Sequence, residues 1–297
     1  MDFIKISKMY SIENTQIKAT INPKGAELCS LILKENDTEF MWSANPDFWG
    51  KSSPVLFPIV GGLKDNSYQF QGQKYNLPRH GFARDRVFEV ESQTDETITF
   101  LLQSDADSLK VYPFDFEFRI KYETTDNQLS VSYIINNSSN NDMYFSVGGH
   151  PAFAVPIESQ NTYEDYFLEF SATETLKRYP LTPEGLVIDE PIDVPQSENR
   201  IQLTKELFYE DALVFKNLKS DSVILKSDKG KHQLRFNFAG FPFLGVWAAK
   251  NADFVCIEPW CGIADSANHN QELTEKEGIN RLGSGESFER TWRVSLS

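Results

Sequence analysis

The stretch Phe114-Asp-Phe-Glu-Phe-Arg-Ile-Lys-Tyr122 alternates strictly between apolar and charged residues. A period of two over nine residues predicts a β-strand with one buried face and one solvent-facing face. Turn-forming residues follow at 124–128, and the same alternation then resumes from Leu129 to Ile135. Two alternating runs separated by turn residues predict an antiparallel β-hairpin.

Similar short apolar runs recur along the whole sequence. The clearest are residues 17–21 with 27–33, 88–90 with 97–102, 223–226 with 233–238, 254–258 and 288–296. Helical patterns are few and short; the best covers residues 204–209, with Thr204 as a possible N-cap. Strands at this frequency predict an all-β sandwich or barrel. Since no linker or internal repeat divides the sequence, we predict one large β domain over residues 1–297.

Charge and composition exclude several classes of partner. The 29 basic and 43 acidic residues give a net charge of −14, which disfavours nucleic acid and anionic membranes as partners. A hydrophobic content of 40% supplies a packed core, so the chain is not disordered. Two long segments between strands, 36–65 and 265–286, are candidates for functional loops.

The cysteines indicate a reducing compartment. Cys29, Cys256 and Cys261 are an odd and sparse set, which is typical of free thiols. No Cys and His cluster has zinc-finger spacing, so no metal site is predicted. The residues 1–5 show no leader pattern, and no apolar run reaches the ~20 residues that cross a bilayer. We therefore predict a soluble cytoplasmic protein.

Two of the four histidines stand in constrained backbone. His150 ends the run Tyr144-Phe-Ser-Val-Gly-Gly-His150-Pro151, where glycines allow close approach and the proline favours extended geometry. His80 lies in Leu77-Pro-Arg-His-Gly-Phe-Ala-Arg84, a tightly bent segment that Phe82 can anchor. Either histidine could instead have a purely structural role. His232 and His269 lie in polar turns and loops and are expected at the surface.

Glu258 is the candidate carboxylate. It follows the apolar strand pattern Phe254-Val-Cys-Ile, and burial there would raise its pKa toward values useful for a general base. It could equally point to solvent. No Walker loop, dinucleotide fingerprint, nucleophile elbow or His-Glu-x-x-His motif occurs, so proton transfer is favoured over covalent catalysis.

Other residues could contact a ligand. Trp260, like three other tryptophans, offers a flat apolar surface for a sugar ring, although core packing explains it as well. Basic residues outnumber acidic ones between Lys51 and Arg86, which indicates either an anionic or polar ligand near His80 or arginines that tie loops together.

The sequence resembles the aldose 1-epimerase (galactose mutarotase-like) family, and most closely its LacX-type branch. Six motifs carry the resemblance over nearly the whole chain. They are Asn22-Pro-Lys-Gly-Ala-Glu27-Leu, Pro54-Val-Leu-Phe-Pro58, Arg79-His-Gly-Phe-Ala-Arg84, Gly148-Gly-His-Pro151, Asp211-Ala-Leu and Ile257-Glu-Pro-Trp260.

The resemblance implies a large antiparallel β-supersandwich with a sugar cleft and no cofactor. It implies that Glu258 is the base that takes the proton of the anomeric hydroxyl and that His150 is the acid that protonates the ring oxygen. His80 would hydrogen-bond near the ring oxygen, and Asp211 would bind sugar hydroxyls. We expect His150 and Glu258 to face one cleft, with space for a single sugar ring between them.

The sequence departs from galactose mutarotases at the arginine that contacts sugar. The corresponding region is Ile59-Val-Gly-Gly-Leu-Lys64, so Lys51, Lys64 and Arg79 are the candidates for that contact. The motif His-Gly-Phe-Ala-Arg84 resembles the hexose-6-phosphate epimerase branch. We therefore attribute any preference for a phosphorylated sugar to Lys51, Arg79 or Arg84. The alternatives are therefore a hexose-6-phosphate 1-epimerase, a non-catalytic carbohydrate-binding or sensing protein, or a glycosidase, which needs two carboxylates.

Overall fold

The computed structural model describes residues 8–297. Residues 1–5, in which the sequence shows no leader pattern, lie outside the described part. Antiparallel strands make up most of the regular structure, and the helices are single turns, which confirms the predicted fold class.

The strands are β1 (Tyr10–Glu13), β2 (Ile17–Asn22), β3 (Glu27–Leu33), β4 (Thr38–Glu39), β5 (Val55–Leu56), β6 (Ser67–Phe70), β7 (Gln73–Asn76), β8 (Glu89–Gln93), β9 (Thr97–Gln103), β10 (Phe116–Thr125), β11 (Gln128–Asn137), β12 (Met143–Phe145) and β13 (Val147–Gly149). They continue with β14 (Ala152–Ala154), β15 (Tyr166–Phe170), β16 (Lys177–Arg178), β17 (Ile192–Asp193), β18 (Arg200–Gln202), β19 (Leu213–Lys216), β20 (Ser222–Ser227), β21 (Leu234–Asn237), β22 (Phe243–Trp247), β23 (Phe254–Cys261), β24 (Asn280–Leu282) and β25 (Ser287–Leu296). One α-helical turn, α1, covers Ser108–Val111, and 3₁₀ turns cover Lys64–Asn66, Ala83–Asp85, Tyr163–Asp165, Lys205–Phe208 and Leu273–Glu275.

The largest sheet has nine strands in the order β18-β15-β20-β21-β25-β11-β10-β9-β8. At its centre is the hairpin predicted from alternation, with Phe118 opposite Ile135. Apolar positions of β10 are buried and its charged positions are partly exposed, as the period of two requires. The strand begins and ends later than the sequence pattern indicates, running from 116 to 125.

A second sheet packs against the first. Its order is β19-β22-β23-β13-β5, with β14 also paired to β23. Aromatic rings join the two sheets: the ring centroids of Phe57 and Phe118 are 4.6 Å apart, and those of Phe153 and Phe236 are 5.9 Å apart. A four-stranded sheet, β1-β2-β3-β4, and three two-stranded sheets complete the architecture. The all-β sandwich is thus formed, and its second sheet leaves one face available for a site.

The other predicted strands are also observed: β2 pairs with β3, β8 with β9, and β20 with β21. The predicted helix at 204–209 is only a 3₁₀ turn, Lys205–Phe208, and Thr204 makes no side-chain capping bond. Thr204 nevertheless occupies the N-cap position of this turn, with extended backbone, as predicted. In residues 8–297, no helix is long and apolar enough to cross a membrane.

Candidate active site

Strand pairing brings His150 and Glu258 together. β13 and β14 both pair with β23 in one register, with Gly148 opposite Trp260 and Ala152 opposite Cys256. His150 lies in the break between β13 and β14, so continuity of that register puts it opposite Glu258. Cross-strand partners carry their side chains on the same face, which directs both groups into the same space.

The two side chains are in direct contact. His150 Nε2 lies 3.3 Å from Glu258 Oε2, and both side chains are largely withdrawn from solvent. The expectation of a ring-sized gap between them is therefore wrong. The physical reason is the strand register, which sets the two residues directly opposite each other, where cross-strand side chains are neighbours.

The double glycine before His150 makes room on both faces of the sheet. A Cβ at Gly148 would lie 2.6 Å from the Trp260 indole, and a Cβ at Gly149 would lie 2.6 Å from the Tyr133 hydroxyl. On the other side of β23, a Cβ at Gly245 would lie 2.4 Å from Trp260. Trp260 therefore lies over backbone that has no side chains, beside Glu258. These positions require glycine because neighbouring side chains approach the backbone closely, and not because the backbone has a positive φ.

His80 enters the same site from a loop. Its backbone has a φ of +70°, and its amide donates to the Gly61 carbonyl at 2.9 Å. In return the Gly61 amide donates to His80 Nδ1 at 3.1 Å. An Nδ1 that accepts a hydrogen bond leaves the proton of a neutral imidazole on Nε2. His80 is therefore held as an Nε2–H donor, with its ring centroid 5.9 Å from that of His150.

Two tryptophans enclose His150. The Trp49 ring lies 4.9 Å from the imidazole centroid at an angle of 31°, and the Trp247 ring meets it edge-on at 5.6 Å. From the sequence, Trp49 and Trp247 could be either flat apolar surface for a sugar ring or ordinary core residues, and their contact with His150 was not predicted. The position of Trp49 in the 36–65 segment, a candidate functional loop, could have indicated a role at the site. The sequence around Trp247 contains no comparable signal.

The histidines and Glu258 line a cleft of about 850 Å³. That volume lies within the range of roughly 300–1,000 Å³ typical of small-molecule sites. Residues of the segments 181–187 and 208–212 also line it, and among these only Asp211 was predicted as a site residue from the sequence. Trp260 contributes to the lining, as do Trp49 and Trp247. The cleft thus combines flat aromatic surface with a small number of convergent polar groups.

Charged residues occupy the cleft wall near His80. Arg79 Nη2 lies 3.9 Å from Asp211 Oδ2, and Arg84 donates to the Arg79 carbonyl at 3.0 Å. Asp211 has a φ of +122°, and its carboxylate accepts the Ala212 amide at 2.7 Å. Strained backbone held by local hydrogen bonds is common where a side chain must point in one direction. Arg79, Arg84 and Asp211 can therefore all offer hydrogen bonds to a polar ligand.

Lys51 and Lys64 lie outside the cleft lining. Lys51 Nζ is 3.8 Å from Glu27 and 3.9 Å from Asp85. Lys64 Nζ donates to the His269 carbonyl at 3.2 Å. Of the basic residues considered as sugar contacts, the structure brings only Arg79 and Arg84 to the histidines.

Burial sets the protonation of the central groups. It lowers the pKa of His150 to about 3 and the pKa of His80 well below its usual value. Burial also raises the pKa of Glu258 well above its usual value, against a smaller opposing effect of Arg79. These shifts favour neutral imidazoles beside a protonated Glu258, so that the His150–Glu258 pair carries one titratable proton.

Within the described residues, one group of three side chains could hold a metal ion. The ligand atoms of His150, Cys256 and Glu258 all lie within 4.8 Å of one another. A thiol must lose its proton to bind metal, whereas burial raises the pKa of Cys256 well above its usual value. We assign no metal to this group.

Comparison with known proteins shows the family of this chain. The family model for aldose 1-epimerase matches residues 8–289. The chain belongs to the aldose 1-epimerase family. The resemblance inferred from the motifs is thereby confirmed.

Relatives of this epimerase-family chain include the chromosomal and plasmid forms of Protein LacX from Lactococcus lactis subsp. lactis. They are 30% and 29% identical over 294 residues, with 96% of this chain and 98% of each relative covered. A galactose mutarotase related enzyme from Lactobacillus acidophilus superposes with a TM-score of 0.93 at 39% identity, covering 98% of this chain and 97% of that one. A galactose mutarotase-like protein from Lactobacillus casei superposes with a TM-score of 0.92 at 31% identity, covering 98% of this chain and 100% of that one.

Proposed function

We propose that this chain is an aldose 1-epimerase that interconverts the α and β anomers of a hexose or a related sugar. The observation that carries the proposal is the buried contact of 3.3 Å between His150 Nε2 and Glu258 Oε2, two residues that line the cleft. Ring opening requires one group that accepts the proton of the anomeric hydroxyl and another that donates to the ring oxygen. An imidazole and a carboxyl that share one proton meet this requirement.

The proton balance follows from the pair. With the shared proton moved from Glu258 to His150, Glu258 takes the hydroxyl proton while His150 delivers its own proton to the ring oxygen, and the C1–O5 bond opens to the aldehyde. Rotation about C1–C2 presents the other face of the carbonyl, and the reversed transfers close the ring as the other anomer. The pair ends the cycle with the one proton with which it began.

Binding groups surround the reacting atoms in this proposal. The Nε2–H of His80 would donate to the ring oxygen, and it is kept in that tautomer by the Gly61 amide. Asp211 and Arg79 would bind sugar hydroxyls, and Trp260 would pack against the apolar face of the ring. No cofactor takes part in these steps.

The experiment is a panel of hexoses and hexose 6-phosphates in which freshly dissolved single anomers are followed by polarimetry. We expect saturable acceleration over the solvent rate for at least one sugar. If every sugar equilibrates at the solvent rate, the epimerase proposal fails. Calorimetric binding without turnover would then favour a carbohydrate-binding or sensing protein.

Sugar phosphates are the second candidate substrate class, because two arginines, Arg79 and Arg84, line the cleft. If a phosphorylated hexose is preferred, we expect the double replacement of Arg79 and Arg84 by Gln to reduce that preference by about 10-fold or more in kcat/KM, since charge-assisted bonds to phosphate would be lost. Lys51→Gln is the matched control, because Lys51 is paired outside the cleft. Unchanged discrimination in the double variant would rule out this role of the arginines.

The activity should respond weakly to mild acid. Because burial lowers the pKa of His150 to about 3, the His150–Glu258 pair keeps its single proton well below the pKa of about 6.5 of an ordinary histidine. We therefore expect kcat/KM to stay level between about pH 5 and pH 7.5, where an exposed histidine would titrate. Circular dichroism over the same range controls for unfolding. A tenfold loss centred near pH 6.5 would contradict the account.

A further inference from the structure

A buried ion pair lies behind the cleft wall. Lys276 Nζ donates to Asp265 Oδ1 at 2.6 Å, and each side chain is only 1% exposed. His269 Nε2 lies 3.7 Å from the same carboxylate. Withdrawing two charged groups from water is costly, and a buried pair is weak evidence for stability. The acid/base chemistry proposed above uses none of these three side chains.

Asp265 holds the segment that contains Gly61. Its second carboxylate oxygen accepts the Lys64 amide at 2.9 Å, and its own amide donates to the Gly62 carbonyl at 2.9 Å. Gly61 has a φ of +73°, and a Cβ there would lie 2.5 Å from the Ala264 side chain. The Asp265 carboxylate and backbone therefore fix the path of residues 61–64 from both sides.

That segment in turn holds His80. Gly61 accepts the His80 amide at 2.9 Å and donates its own amide to His80 Nδ1 at 3.1 Å. Only two hydrogen-bonded links thus separate Asp265 from the His80 imidazole. On the opposite wall, the Val187 amide donates to the Asp265 carbonyl at 2.8 Å, so the same residue also fixes the 181–187 segment.

We propose that the Asp265–Lys276 pair is a positioning element for His80. By orienting Asp265, Lys276 keeps the Gly61 amide on His80 Nδ1 and thereby keeps the Nε2–H directed at the cleft. The catalytic part of this inference rests on the proposed epimerase function, whereas the tautomer part does not. Neither residue lines the cleft, so neither is assigned a contact with sugar.

The test uses two single variants and their combination. Lys276→Met leaves the buried Asp265 carboxylate without its counter-charge, and Asp265→Asn leaves the buried Lys276 ammonium without its own. We expect each to lower kcat by roughly 10- to 100-fold with little change in KM, because a catalytic group is displaced while the sugar-binding residues remain. The double variant removes both charges and keeps an acceptor for the Lys64 amide, so we expect it to recover most of the activity.

Imidazole ¹⁵N NMR provides the readout that a merely structural role would not change. The chain has only four histidines, so His80→Asn identifies the His80 signals. Wild type should show His80 as the Nε2–H tautomer alone; the single variants should show a second tautomer, and the double variant should return to one. Lys226→Met is the control, because it breaks a half-buried pair with Glu169 in the nine-stranded sheet.

The control should lower the melting temperature without altering the His80 signals. If the single variants fold and their His80 signals match wild type, the proposal is overturned. If the singles do not fold, the double variant decides: a second His80 tautomer there would also overturn it. Failure of the epimerase function itself would appear differently, as inactive wild type with His80 signals that still respond to Lys276→Met.

Discussion

Replacing Glu258 by Gln is expected to lower kcat for anomer interconversion by about 10²- to 10⁴-fold, the usual contribution of one proton-transfer group. An amide has nearly the shape of a protonated carboxyl but cannot exchange a proton with His150. Since burial already favours the neutral form of Glu258, the variant should fold with nearly unchanged stability. Loss of rate without loss of fold is the expected signature, measured by polarimetry together with thermal melting.

Glu289→Gln is the matched control for this variant. Glu289 is exposed on β25 in the nine-stranded sheet and does not line the cleft. It should retain the wild-type rate. If Glu258→Gln keeps more than about a tenth of the wild-type kcat, Glu258 does not carry the expected share of proton transfer.

Replacing His150 by Asn is expected to produce a loss of similar size, about 10²- to 10⁴-fold in kcat. The amide retains a hydrogen-bonding group near Glu258 but cannot protonate the ring oxygen. It also loses the ring contacts with Trp49 and Trp247, so we expect a lower melting temperature as well. Rates are therefore to be measured well below the midpoint of unfolding.

The control for the histidine is His232→Asn. His232 contacts Asn36 and the Phe40 ring, away from the cleft lining. The His232→Asn variant should interconvert anomers at the wild-type rate. Combining His150→Asn with Glu258→Gln should cost little more than either change alone, because the two groups act as one unit. Fully additive losses would contradict a shared proton.

The hairpins could be predicted because their signal is local. In β10 and β11 a period of two in the sequence directly gives the buried and exposed faces, and turn residues mark where the chain reverses. The failures have local causes as well. Thr204 takes the N-cap position, but the residues after it form only one 3₁₀ turn in place of the predicted helix. The observed ends of the strands also differ from the predicted ones, because pairing with neighbouring strands determines where a strand begins and ends.

For the candidate site, the sequence predicted which residues come together but not how they are arranged. The motifs nominated His80, His150 and Glu258, and the fold brings them together. The opposition of His150 and Glu258 depends on pairing between strands more than a hundred residues apart, which no local pattern encodes. Contact at 3.3 Å, in place of a ring-sized gap, followed only from the register of β13, β14 and β23.

The basic residues illustrate the same limit. Lys51, Lys64, Arg79 and Arg84 are close in sequence, yet loop geometry brings only the two arginines into the cleft. Conversely, the backbone of Lys64 takes part in the Asp265 network that holds the Gly61 segment. A charge pattern in the sequence cannot separate a residue that lines a cleft from one that supports it.

The most direct test of the central claim is two-dimensional exchange NMR on an equilibrium mixture of hexose anomers with catalytic amounts of protein. The account predicts exchange cross-peaks between the α and β anomeric protons for at least one hexose or hexose 6-phosphate with wild type. It predicts that these cross-peaks fall to the solvent level with Glu258→Gln. Cross-peaks of equal intensity with Glu258→Gln and wild type would contradict proton transfer through the His150–Glu258 pair.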